Sequence, residues 1–100
     1  MAVIDVACRE AGASATAWTC RVIVGDDPGA TIHEVGVAGD VLDRYAPGAT
    51  DPTDLVRESF EFLLEREPRT SILRRFDLPV IERYFPEFPS VMAARRARSA

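Results

Sequence analysis

Cys20 and His33 are the side chains of this sequence that come closest to a nucleophile and its base. A thiolate held beside an imidazolium is a reactive pair. Both fall on a predicted β-hairpin, on one face and diagonal to each other across the strands. That face is apolar, and no third side chain stands ready to orient the ring. The two are therefore read as core or core-edge residues and not as catalytic. His33 with two distant thiols, Cys8 and Cys20, does not define a metal site. Glu58, Glu61 and Glu65 fall on one stripe of a predicted helix, which reads as its solvated face. All twelve basic residues are Arg. Without Lys there is no lysine Schiff base and no Walker-type phosphate loop. The expectation is a non-enzymatic protein with no cofactor and no metal.

The hairpin that places Cys20 and His33 is predicted over residues 17–25 and 30–37, both rich in Val, Ile and Thr. Asp26-Asp27-Pro28-Gly29 joins them, with Pro28 and Gly29 suited to the centre of a type II turn. Setting Gly25 opposite Ala30 puts Val24 across from Thr31, Val22 from His33, Cys20 from Val35 and Trp18 from Val37. The same register sets Arg21 opposite Glu34 on the other face, an opposite-charge pair that favours it. A short helix follows from about Gly39 to Tyr45 and ends at Pro47-Gly48. A main helix then starts with Asp51 as cap, Pro52 in the first turn and Asp54 favourable to the helix dipole. Its apolar band runs through Leu55, Val56, Phe60, Phe62, Leu63 and Leu64 to a stop at Pro68. Two short helices are predicted over 70–78 and from Asp77 or Leu78 to Phe85, loosely like a helix-turn-helix. The fold class is α+β: a small antiparallel sheet packed against one main helix, followed by two short helices. A two-stranded hairpin alone is marginal, so a strand from residues 1–8 or from a second subunit would complete the sheet.

The 47% hydrophobic content is that of a globular chain, and 100 residues make one domain at most. Residues 17–89 form that domain. Residues 1–16 read as a poorly ordered or loosely packed segment, and residues 90–100 as a frayed basic tail. No apolar run approaches the length of a membrane span. The start of the chain lacks the basic and apolar regions of a signal peptide. The expected location is cytoplasmic, with Cys8 and Cys20 as reduced thiols. The absence of Lys and Asn points to a GC-rich genome. Residues 1–67 carry −8 and residues 68–100 carry +4, an acidic body with a basic end.

The stretch from the hairpin to Phe88 resembles a family of small uncharacterised bacterial proteins. The resemblance is carried by Thr31-Ile32-His33, by Ser59-Phe60-Glu61-Phe62-Leu63-Leu64-Glu65-Arg66-Glu67-Pro68, and by Ser71-Ile72-Leu73 with Phe76-Asp77-Leu78, Ile81 and Tyr84-Phe85-Pro86-Glu87. It implies fold boundaries over about two-thirds of the chain and no activity.

The function expected from these features is a protein-interaction module that binds another protein or itself. Trp18, Tyr84, Phe85 and Phe88 are the candidate contact residues, assisted electrostatically by Arg95, Arg96 and Arg98. The alternative is a nucleic-acid-linked regulator, antitoxin-like, that uses the basic C-terminal segment. A pI near 4.9 disfavours a dedicated nucleic-acid binder.

Overall fold

Ile4, Val6 and Cys8 alternate with Asp5, Ala7 and Arg9, the period of a half-buried strand. The computed structural model, which describes residues 3–11 and 17–99 and side chains as far as Arg95, places these residues in β1, Ile4–Glu10. β2, Ala17–Val24, and β3, Thr31–Ala38, follow as an antiparallel meander. β4, Arg75–Asp77, adds parallel to β3, giving the order β1-β2-β3-β4. Between β3 and β4 lie α1, Gly39–Tyr45, and α2, Thr53–Leu64. After β4 come α3, Val80–Tyr84, and α4, Phe88–Ser99.

The hairpin register is the one expected: Trp18 opposite Val37, Cys20 opposite Val35, Val22 opposite His33 and Val24 opposite Thr31. The inward residues Val6, Cys20, Val22, Val24, Val35, Val37 and Phe76 are buried with Leu55, Val56, Phe60, Phe62 and Leu63 of α2. The alternate set, including Asp5, Ala7, Arg9, Arg21, Ile32, Arg75 and Asp77, is exposed. The helices therefore cover one face of the sheet and leave the other open, as antiparallel sheets allow. Fully burying Val, Leu or Phe contributes about 1.5–3 kcal/mol each, so this face supplies the main stabilisation.

Several expectations are corrected. Residues 4–10 are not a loose segment but supply the extra strand that the marginal hairpin called for from residues 1–8; residues 1, 2 and 12–16 lie outside the described residues. Residues 90–99 continue α4, anchored by Phe88 and Met92, both fully buried. Phe88, Met92 and Arg95 recur at helical spacing on its inner side.

The short helix expected to end at Phe85 is α3, but the one expected over 70–78 is instead a 3-10 turn at Arg69–Ser71 followed by β4. Tertiary pairing outweighs local propensity there: Glu34 N–H donates to the Arg74 carbonyl at 2.7 Å, and Leu78 N–H to the Gly36 carbonyl at 2.9 Å.

Cys8 and Cys20 are joined in a disulfide. They stand directly opposite each other on β1 and β2 with both side chains on the inner face, which no reading of β2 and β3 alone could reveal.

The turn chemistry is also redistributed. Ala30 N–H donates to the Asp27 carbonyl across Pro28-Gly29, but positive φ falls on Gly25 (100°) and Gly48 (85°) and not on Gly29. The type II geometry belongs to Pro47-Gly48, where Ala49 N–H closes the turn onto the Ala46 carbonyl. At Gly25 a side chain would meet the Arg69 guanidinium, which pairs with Asp27 at 3.1 Å and caps the β2–β3 connection.

Candidate interaction surface

α2 starts where Asp51 accepts a hydrogen bond from the Thr53 N–H at 2.9 Å. That bond holds the Asp51 carboxyl below its usual range. α2 presents Leu63 beside the 3-10 turn and β4, and α3 packs alongside. Together Leu63, Ile72, Leu73, Phe76, Ile81, Tyr84 and Phe85 line one apolar groove. Phe76, Ile72 and Ile81 form its buried floor. Leu73 and Tyr84 stand at its mouth, 47% and 66% exposed.

The predicted contact residues separate in this geometry. Tyr84 and Phe85 come together in the groove, with Phe85 half-buried and edge-on to Phe62 at 5.8 Å. Phe88 is corrected to a core residue: it is fully buried and packs on Phe62 and Tyr45 at 5.1 and 5.2 Å. Trp18 is half-buried at the far end of the inner sheet face, in a different cleft bordered by Val37, Val41 and Pro79. Arg95 is tied to Glu65, the C-cap of α2, by two hydrogen bonds of 2.6 and 2.7 Å, so it fastens α4 to the end of α2. The side chains of Arg96 and Arg98 lie outside those described. Leu73, which sequence reasoning did not single out, is the largest aliphatic contributor to the mouth. Its signal was available: an apolar residue next to Arg74 and Arg75, one position after the buried Ile72.

Cys20 offers His33 no free thiol, because its sulfur is bonded to Cys8, and no described cysteine is free. His33 is a buried structural residue. Its Nδ1–H donates to the Leu73 carbonyl at 2.8 Å, and in the neutral ring Nε2 accepts from the Thr31 hydroxyl at 2.8 Å. Its ring packs 5.3 Å from that of Phe60. The Thr31-Ile32-His33 element thus anchors the segment that carries Leu73. Among the described residues no group of three His, Cys, Asp or Glu could hold a metal ion.

Behind the groove, α1 is locked to α3. The Tyr45 hydroxyl donates to Glu82 Oε1 at 2.7 Å, and Arg44 reaches the same oxygen at 2.8 Å. Burial, reinforced by the acidic partner, pushes the Tyr45 phenol up to about 12. Arg66 stacks 3.6 Å over the Phe62 ring and hydrogen-bonds Glu87, holding the chain between α3 and α4 against α2.

A second cleft lies on the open sheet face, where Arg9, Arg21, Arg74 and Arg75 surround Glu34. Arg75 meets Glu34 at 3.2 Å. Comparison of the chain with protein-family models, with curated proteins and with solved structures found no match, so the reading of this surface rests on its own geometry.

Proposed function

We propose that this protein is a non-enzymatic interaction module whose apolar groove takes a side chain of a protein partner or of a second copy. The observation that carries the reading is that Leu73 and Tyr84 stand exposed at the mouth of one groove with a buried apolar floor. Aromatic and aliphatic anchors seated in such grooves dominate interface energies. A rigid frame supports this use: α3 is braced by Tyr45 and Glu82, and Leu73 by its carbonyl bond to His33.

The Cys8–Cys20 bond favours work in an oxidising compartment over the cytoplasm. No helix among the described residues is long and apolar enough to cross a membrane. The nucleic-acid reading draws less support, since Arg95 is engaged with Glu65.

The test is capture from the host's own lysate on wild-type protein, on Tyr84→Asp, and on Val3→Asp, which alters an exposed residue outside both the groove and the arginine cleft. A stoichiometric partner lost only with Tyr84→Asp, or a dimer in solution lost in the same way, supports the reading. Equal capture by both variants refutes it.

A further inference from the structure

The groove and the arginine cleft are lined by neighbouring residues of one short segment. Leu73 and Phe76 face the groove, whereas Arg74 and Arg75 face the cleft. The segment is the outer edge of the sheet, since β4 pairs only with β3. In that parallel ladder the bonds to β3 run through Arg74, Phe76 and Leu78. The N–H and C=O groups of Arg75 and Asp77 therefore point away from the sheet. Among the described residues, Arg9, Arg21 and Arg74 make no ion pair. Four guanidinium groups around one carboxylate are a marked excess of positive charge in a chain of net −4.

We infer that β4 is a strand-addition site for an extended acidic peptide segment of a protein partner. The backbone of that segment would pair with Arg75 and Asp77. Successive side chains of an added strand point to opposite sides of the sheet. One side is the apolar groove, and the other is the arginine cleft. The matching segment alternates an apolar anchor, seated by Leu73 and Tyr84, with Asp or Glu directed at Arg74 and Arg75. A nucleic-acid strand fits less well. Among the described residues, the open face has no aromatic side chain on which a base could stack. This inference rests on the groove reading above and adds to it the backbone pairing and the charge of the partner.

The experiment pans a phage-displayed library of random dodecapeptides on the full chain, then measures a synthetic consensus peptide by fluorescence anisotropy. The expected consensus alternates apolar and acidic residues. Its affinity should fall at least tenfold in Arg75→Glu and in Arg74→Glu, each checked for native circular dichroism, and should weaken with salt. N-methylation of the peptide amides that face β4 should abolish binding, and N-methylation of the alternate amides should not. A consensus of apolar residues alone, lost in Tyr84→Asp but unchanged in Arg75→Glu, overturns this inference and leaves the groove reading standing. No enrichment, or a consensus indifferent to Tyr84→Asp, overturns both. Tighter binding of a twenty-residue oligothymidylate, lost in Arg75→Glu, would assign the cleft to nucleic acid and overturn the acidic-peptide assignment.

Discussion

Reducing the Cys8–Cys20 disulfide should destabilise the protein by about 3 kcal/mol. The bond closes a loop over a sequence separation of 12, between directly opposed residues of β1 and β2. Closing a loop of that size removes roughly 10 cal/mol/K of entropy from the unfolded chain, or about 3 kcal/mol at 25 °C. Domains of this length lose roughly 4–8 °C of Tm per kcal/mol, so the expected drop is about 12–24 °C. The loss should be felt first at β1, an edge strand whose one fully inward apolar anchor is Val6. The assay is thermal unfolding followed by circular dichroism, with and without a phosphine reductant, because reduction keeps both sulfur atoms in the core and creates no cavity. Intact mass after denaturation in iodoacetamide without reductant should show no alkylation. Alkylation at both cysteines in that control, or melting curves that coincide within about 3 °C, would refute the reasoning.

Raising the pH from about 10 to about 12 should remove the stabilisation that comes from Tyr45. Its folded pKa lies above the ordinary phenol value of 10.0, so the contribution is complete below pH 10 and disappears as pH approaches the folded value. Urea unfolding across that range should show the decline in wild type and lack this component in Tyr45→Phe. Asp51→Ala should cost about 1 kcal/mol through the lost bond to the Thr53 N–H. Because that bond lowers the Asp51 pKa, the gap between wild type and variant in urea midpoints should close as pH falls through the carboxylate range. Gly25→Ala should cost about 1–2 kcal/mol, since φ is 100° and the new methyl group meets Arg69. A double variant with Arg69→Ala should be less destabilised than the sum of the single changes, as read from chemical unfolding.

The parts of the fold legible in the sequence are those set by local periodicity. Val22, Val24, His33 and Val35 alternate strictly, and Arg21 stands opposite Glu34 as expected, although the ion pair of Glu34 is with Arg75. The helix over Gly39–Tyr45 follows from turn chemistry, whereas the start of α2 is shifted by one residue: Pro52 is its N-cap, and Asp51, one position before, bonds the Thr53 N–H. β4 was not legible because three residues carry no period of their own. Phe76 becomes a strand residue only through its pairing with Val35, 41 positions earlier. β1 showed its alternation in Ile4, Val6 and Cys8, but Ala7 and the short span hid it. The C-terminal arginines masked the helical recurrence of Phe88 and Met92. Of the candidate surface, Tyr84 and Phe85 were visible as aromatic residues in a Pro-broken stretch. Phe88 belonged to the same stretch, and only packing against Phe62 and Tyr45 separates it from them. Leu73 and the arginine cleft emerge only once β4 is placed.

The most direct test of the central claim replaces Tyr84 with photo-crosslinking benzoylphenylalanine in the living host, with Val3, exposed and outside both the groove and the arginine cleft, replaced in the same way as the control. Irradiation should give one discrete adduct from position 84, absent at position 3 and lost when Leu73→Asp is added. No adduct at position 84, or the same adducts from both positions, would contradict the assignment of this groove as the contact surface.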